Sequence, residues 1–416
     1  MFKRVVVTGY GAVSSLGENS NEIWEALMQG KLGYDRVEFD DKTITSKFFG
    51  FMSKNKARYK GLPKSILKMS PDFARNAMVA SREALKMAFG PEAHPNDFID
   101  PHDFGVLIGT GWGGTDSVNN NNQDYINSGI ATSFSSLMSM HSLGTGAVSM
   151  AWNLRGYQNT PIAACATGTM AIGDAFEIIR SGRQKAILAG GSESLKEQFN
   201  VWSIDIMTAL SKEQDVRERA CCPFDKRRSG FVLSEGAAVL CLEEMDHALA
   251  RGANILGEIT GYANYSDARD MTAPAQDMLS RIKTIEVALG QANCKAKSLD
   301  YINLHGTSTP LNDINETNSL KQALGKQAYE IPCSSTKSNT GHLIGAAGSI
   351  EAVFCLKAIE TGILPATVNL NEPDPECDLN YIPNQSIEVG EVNRVLNLSF
   401  GFGGANCALV IEKFVG

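Results

Sequence analysis

Residues 103–111 read DFGVLIGTG, and residues 300–308 read DYINLHGTS. Each begins on an acidic residue, runs apolar, and ends in a polar glycine turn, the pattern of a buried strand that delivers its last residues to a loop. The echo extends on both sides. Residues 4–11, RVVVTGYG, come before the first copy, and residues 256–263, LGEITGYA, before the second. After each copy follows a small-residue-rich helix with a polar or reactive start and a glycine stop: ACATGTMAIGDAFEIIRSG at 164–182, GHLIGAAGSIEAVFCLKAIETG at 341–362. Each series closes on a segment that reads as a β-hairpin with a glycine-containing turn, SGFVLSEGAAVLCLEE at 229–244 and SFGFGGANCALVIEK at 399–413. Four matches in one order imply a duplicated α/β unit, with halves of residues 1–250 and 251–416 joined near 246–254. The long apolar strands call for sheets covered by helices on both faces. The Asn119–Asn122 run reads as a surface loop.

Composition narrows the function class. Apolar residues make up 43% and charged residues 20%, a globular balance. The net charge of −8 gives no general attraction to nucleic acid or to an anionic membrane surface. No stretch reaches the roughly 18 to 20 apolar residues of a membrane span. The nine cysteines include no CxxC pair, and the adjacent Cys221 and Cys222 are poorly placed to bridge each other. With no secretory h-region at the start, the expected location is a reducing cytoplasm.

The chemistry concentrates on three residues. Cys165 follows the apolar run TPIAA and opens a helix, where unpaired amides and the helix dipole favour a thiolate. Small neighbours, Ala163, Ala164, Ala166 and Gly168, leave room for a substrate carbonyl. A buried structural cysteine is the bland alternative. Two of the six histidines, His305 in LHGTSTP and His342 in TGHLIGAAG, occupy matched, glycine-flanked places in the second half. His305 ends the strand that answers VLIGTG, and His342 begins the helix that answers the Cys165 helix. Strand ends and helix starts gather ligands in α/β folds, so one cleft between the halves is expected to hold all three. A metal is the rival occupant of a Cys-His-His set, but the sequence has no local ligand pair such as CxxC or HxxxH. A cysteine hydrolase is the other rival, and it leaves one histidine without a task. Two imidazoles suit a site that holds a thioester carbonyl oxygen while the adjacent carbon becomes a nucleophile. Lys337, in SSTKSNTGHL, is placed to orient them, and Phe400 and Phe402 of SFGFGG to gate or line the cleft. Cys407 reads as a core residue of its strand.

Taken together, ACATG, AGGSES, PFDKRRSGFVLSEGA, HGTSTPLND, SSTKSNTGHLIGAAGSIEA and SFGFGGAN span nearly the whole chain. The set resembles the β-ketoacyl-[acyl-carrier-protein] synthases of the thiolase fold, especially the elongating type II enzymes. The resemblance implies a five-layer αβαβα sandwich of two βαβαβαββ halves. It implies a Cys165 nucleophile, with His305, His342 and Lys337 as further catalytic residues and Glu351 in support. The backbone amides of Cys165 and Phe402 would form the oxyanion hole, and Thr307 and Thr309 would meet a phosphopantetheine arm. The implied reaction is decarboxylative condensation of an acyl group with malonyl-acyl-carrier protein. No bound cofactor or metal is expected, since the phosphopantetheine comes on the carrier.

Two departures stand out. Trp112 takes the place of a mid-sized aliphatic in GTGWGG, a position that faces the acyl pocket at the dimer interface in relatives. The stretch SDARDMTAPAQDMLSRI lacks the family's glycines. For partners the resemblance implies acyl carrier protein and a homodimer. The run Lys54, Lys56, Arg58, Lys60, Lys64 and Lys68 is the candidate basic docking face, with Lys64 and Lys68 as the docking residues to test. Met207 and Thr208 stand where relatives often carry a basic residue. The alternatives are a ketosynthase of a specialised polyketide or polyene pathway, paired with a non-identical subunit, and a non-catalytic scaffold of the same fold.

Overall fold

The computed structural model describes residues 2–416. Its architecture shows the duplication directly. The first half runs strand Val5–Ser14, helix Asp72–Phe89, strand Phe104–Gly109, helix Leu143–Trp152, strand Gln158–Asn159, helix Thr167–Arg180, then strands Ala186–Glu193 and Gly236–Glu244. The second repeats this with Gly257–Ser266, Leu279–Gln291, Tyr301–Asn303, Pro310–Leu324, Cys333–Ser334, Ala347–Thr361, Arg394–Gly401 and Ala405–Glu412. Both are βαβαβαββ.

Among the described residues the ten strands form one ladder, mirrored about its middle. From the centre outward, the first half places Val5–Ser14, Gly236–Glu244, Ala186–Glu193, Phe104–Gly109 and Gln158–Asn159. The second places Gly257–Ser266, Ala405–Glu412, Arg394–Gly401, Tyr301–Asn303 and Cys333–Ser334. Corresponding pairs run in the same sense, antiparallel near the centre and parallel outside. Val5, Val6 and Val7 join the half-sheets by pairing with Ile259, Glu258 and Gly257.

Helices Thr167–Arg180 and Ala347–Thr361 pack on each other and on strands of both halves. Asp72–Phe89 covers one outer face, and Leu279–Gln291 with Pro310–Leu324 the other, giving the expected five layers. Ala347–Thr361 is buried nearly all round, which explains its lack of a polar face. The glycines of VTGYG seat the outer helix: a Cβ on Gly9 would lie 2.2 Å from the Ala84 carbonyl oxygen, and one on Gly11 2.2 Å from that of Ala80.

Two expectations fail. Residues 229–244 are not a hairpin. Leu233–Ser234 pairs in parallel with Phe48–Gly50 in a small separate sheet, and only Gly236–Glu244 joins the main one. The backbone of His342 draws this segment away, donating to the Val232 carbonyl at 2.7 Å and accepting from Ser234 N–H at 3.0 Å. The partner segment at 399–413 does form an antiparallel hairpin. Asn119–Asn122 lies inside helix Thr115–Ser128, a surface helix with no buried residue. It is closed by the left-handed Gly129 (φ 73°). Among the described residues no helix is long and apolar enough to cross a membrane.

Candidate active site

Cys165 sits in the single turn Ala164–Ala166 that leads into Thr167–Arg180. Ala164 has φ 45°, a strained backbone for a residue with a Cβ, and this sharp bend sets the thiol at the helix start. The second half repeats the device at Ile344–Ala346, where Ile344 has φ 49°. The residue answering Cys165 is therefore Gly345, and His342 lies on the loop before the turn instead of beginning the helix. Glycines bring the two helix starts together. A Cβ on Gly168 would lie 2.7 Å from Ser349 N, and one on Gly348 2.0 Å from Thr169 Oγ1.

The shared cleft exists. Cys165, His305 and His342 are all buried, and their reactive atoms lie within 4.8 Å of one another. They open on a cavity of about 420 Å³ whose lining includes Thr307, Thr309, Phe400 and Phe402. The His305 and His342 rings stand edge to face, with centroids 5.5 Å apart. Phe400 meets His305 at 5.8 Å, and Phe231 meets His342 at 5.0 Å.

Hydrogen bonds fix the ring tautomers. Ile344 N–H donates to His342 Nδ1 at 3.2 Å, so a neutral ring carries its proton on Nε2. That Nε2 is buried without a partner among the described residues. Lys337 Nζ stands 3.4 Å from His305 Nδ1 and is paired with the Glu351 carboxylate at 2.5 Å. An ammonium only donates, so His305 also carries its proton on Nε2. Burial pushes both imidazoles well below the usual 6.5, and the Lys337 charge adds to it. Both are neutral N–H donors.

This polarity argues against a metal. A metal-bound imidazole uses a bare nitrogen and donates through the other one. Here the Nδ1 atoms already face donors, and the Lys337 charge opposes a cation. The Cys165 thiol tells a related story. Burial pushes it up to about 12, while Lys337 and the amides of Phe402 and Cys165 pull the other way. The amides act in the expected direction, but burial outweighs them, so the resting sulfur is a thiol and not a thiolate.

The other sequence candidates divide. The Thr307 and Thr309 hydroxyls bond each other at 2.8 Å on the cleft wall. Trp112 is partly buried and packs on the apolar cluster that holds Cys165, Ile344 and Leu195, and it is not one of the residues lining the cleft. Cys407 is fully buried in its strand. Lys64 and Lys68 are exposed on helix Lys64–Met69, and neither lines the cleft. Arg58 leaves the basic run, being buried against Glu18 at 2.7 Å.

Three residues of the site escaped the sequence reading. Glu316 accepts from the N–H groups of His305 (2.7 Å) and Gly306 (2.8 Å), and burial pushes its carboxyl up to about 7. Phe231 had a signal, since it falls opposite the phenylalanines of SFGFGG in the echoing segments. Arg281 had a clearer one. It lines the cleft from helix Leu279–Gln291, on the buried stripe Arg281, Thr284, Ile285, Ala288 and Leu289.

Comparison with known proteins agrees with this geometry. The family pattern described as "Beta-ketoacyl synthase, N-terminal domain" matches residues 2–248, and "Beta-ketoacyl synthase, C-terminal domain" matches residues 256–371. A Synechocystis protein described as 3-oxoacyl-[acyl-carrier-protein] synthase 2 is 40% identical, covering 99% of this chain and 98% of its own. A Staphylococcus aureus protein of the same description is 36% identical, covering 99% of each. Among solved structures, the ketosynthase complex AntDE:AntF, described as a type II PKS acyl-carrier protein with its ketosynthase, superposes with TM-score 0.91. It is 33% identical and covers 100% of both chains.

Proposed function

The chain belongs to the beta-ketoacyl synthase family, and from that premise we propose that it acts as a 3-oxoacyl-[acyl-carrier-protein] synthase in fatty-acid elongation. The observation that carries this reading is that two imidazoles, each neutral with its proton on Nε2, gather at the Cys165 sulfur, one ring nitrogen of each and the sulfur lying within 4.8 Å of one another.

In the first step the Cys165 sulfur attacks an acyl-carrier thioester, and a new C–S bond forms. The proton of the Cys165 thiol passes to the departing carrier thiol, so the step is balanced in protons, and the Lys337 charge and the amides of Cys165 and Phe402 favour the attacking thiolate. The amides of Cys165 and Phe402 receive the oxyanion. In the second step malonyl-carrier protein enters, its arm against Thr307 and Thr309 and past Phe400. His305 and His342 donate to its thioester carbonyl oxygen. The bond to the carboxylate breaks, CO2 leaves, and the electron pair remains as an enolate held by the two N–H groups. Its carbon attacks the acyl-cysteine, the Cys165 sulfur departs and takes up a proton from solvent, and a 3-oxoacyl thioester results. Lys337, fixed by Glu351, holds His305 in the donating tautomer. Each half of the chain, residues 1–250 and 251–416, supplies part of the site, and no bound cofactor is needed. The test is incubation with a panel of carrier thioesters, with mass spectrometry of the Cys165 peptide and of the product. A wild-type enzyme that takes no acyl group from any of them overturns the reading.

The same panel reads the chain-length preference. The Trp112 indole packs on the cluster around Cys165, and we assign it the end of the acyl pocket, limiting the enzyme to short or planar chains. Trp112→Gly is expected to move the preferred acyl length upward by several carbons. An identical profile removes Trp112 from the pocket. A specialised polyketide role with a non-identical subunit is the second reading, favoured by this indole. Selective acylation by polyketide or polyene thioesters, or sedimentation as a mixed dimer, would establish it.

Acyl carrier protein is the expected partner, with Lys64 and Lys68 on its docking face. Both are exposed one helical turn apart, and Lys54, Lys56 and Lys60 are exposed nearby. Lys64→Glu with Lys68→Glu is expected to raise KM for the acyl carrier about tenfold, most strongly at low salt. KM for a small thioester such as an acyl-CoA should stay nearly constant, and equal effects on both would remove the face. The chain also presents Tyr125, Ile126, Ile130, Met150 and Ile162 to solvent, and strand Gln158–Asn159 lies at one edge of the main sheet. Exposed apolar side chains and an open sheet edge both suit a second copy of the chain. Sedimentation as a monomer would rule out the homodimer. All nine cysteines are unbridged, which suits a cytoplasmic location, and cell fractionation checks it.

A further inference from the structure

Arg281 has no counterpart in the mechanism above. It lines the active-site cleft, yet its residue exposure is 5% and its Nε and Nη1 are buried with no hydrogen-bond partner among the described residues. Its guanidinium carbon rests 4.0 Å from the centre of the Phe400 ring, the ring that also meets His305. Glu316, Asp267 and Asp313 attract it from a distance, but burial dominates and lowers its pKa to about 10. Glu316 spends both oxygens on the amides of His305 and Gly306, and Asp267 accepts from Asn406 and Ala275. A desolvated, unpaired cation is costly, and a binding site is where that cost is offset by an incoming anion.

We propose that Arg281 is the recognition group for the free carboxylate of the extender thioester, selecting a malonyl-type substrate over an uncharged acyl thioester at the second step. The inference rests on the condensing reading of this site and supplies what that reading lacks. Once the thioester oxygen lies on His305 and His342 and the α-carbon faces Cys165, the carboxylate on that carbon must sit among the groups around the imidazoles. Two cations stand there. Lys337 is already held by Glu351, which leaves Arg281. Lys212, exposed at the edge of the cleft, is the better placed partner for a phosphate at the outer end of the arm. An arginine fork also matches a carboxylate in shape as well as charge.

The carboxylate exists in the bound ground state and vanishes as CO2 departs. Its contact with Arg281 is therefore a binding interaction, lost on the way to the transition state. Arg281→Met is then expected to raise KM for malonyl thioester about ten- to a hundredfold, the range for hydrogen bonds to charged groups. Maximal turnover should hold or rise, because the contact removed stabilised the bound ground state and not the transition state. Inhibition by a non-cleavable malonyl thioether should weaken in parallel, while inhibition by the matching acetyl thioether should change by less than about threefold, well below the effect of a lost charge-assisted bond. Arg281→Lys should fall between the wild type and the Met variant. A purely structural role predicts the opposite: kcat and both inhibitors affected together, with Lys as damaging as Met. That outcome, or full malonyl selectivity in Arg281→Met, overturns the proposal. The two readings fail separately, because formation of the Cys165 acyl adduct in wild type tests the condensing function without Arg281 chemistry.

Discussion

Cys165→Ala is expected to abolish the acyl adduct and lower condensation by about four orders of magnitude or more, the scale for removing a covalent nucleophile. Among the described residues the thiol is the only reactive sulfur placed at the imidazoles, and water cannot stand in for it, because it cannot carry the acyl chain between the two steps. The fold should tolerate the change. Cys165 sits in an apolar cluster, and its loss removes one sulfur atom from the cleft wall. One partial reaction should survive. Loss of CO2 from malonyl thioester depends on the two N–H donors and not on the sulfur, so the variant is expected to release acetyl thioester without condensing it. Carbon dioxide release and 3-oxoacyl product, measured together, check this. Condensation near the wild-type rate would remove Cys165 from the nucleophile role, and parallel loss of both activities would point to a collapsed site.

The sequence revealed most where one physical constraint acts on consecutive residues. The duplicated strands and helices were legible because glycines at close approaches, such as Gly9, Gly11, Gly168 and Gly348, leave no room for alternatives. Cys165, His305 and His342 were legible for the same reason, since each follows or precedes such a glycine at a strand end or helix start. What stayed hidden depends on residues distant in sequence. The Val232–Ser234 segment matches a hairpin locally, yet its backbone partner is His342, more than a hundred residues away. The electrostatics of Cys165 were half legible. The helix-start amides are local and visible, whereas the burial that outweighs them is tertiary. Arg281 lay between these cases. Its place on the apolar stripe of Leu279–Gln291 was visible, but the stretch stood out first for the glycines it lacks.

His342→Ala carries the second large effect, and it separates the two chemical steps. His342 touches the reaction through Nε2–H, and the ring is set by the Ile344 amide behind it. Removing one preorganised donor from an oxyanion-type site costs about 10²- to 10³-fold in turnover. Both decarboxylation and condensation should fall by that factor, because each passes through the enolate. Acylation of Cys165 should fall far less, since its oxyanion is met by the amides of Cys165 and Phe402. His342→Gln, which keeps a side-chain N–H donor, should recover part of the loss. The pH profile supplies an independent reading. Burial holds both imidazoles well below 6.5, so they are already neutral donors at pH 6 and remain so above it. Wild-type decarboxylation should therefore show no rise between pH 6 and 8 from histidine deprotonation. If it climbs through an apparent pKa near 6.5 and loses that limb in His342→Ala, the imidazole is working as a base, and the two-donor account of enolate stabilisation fails.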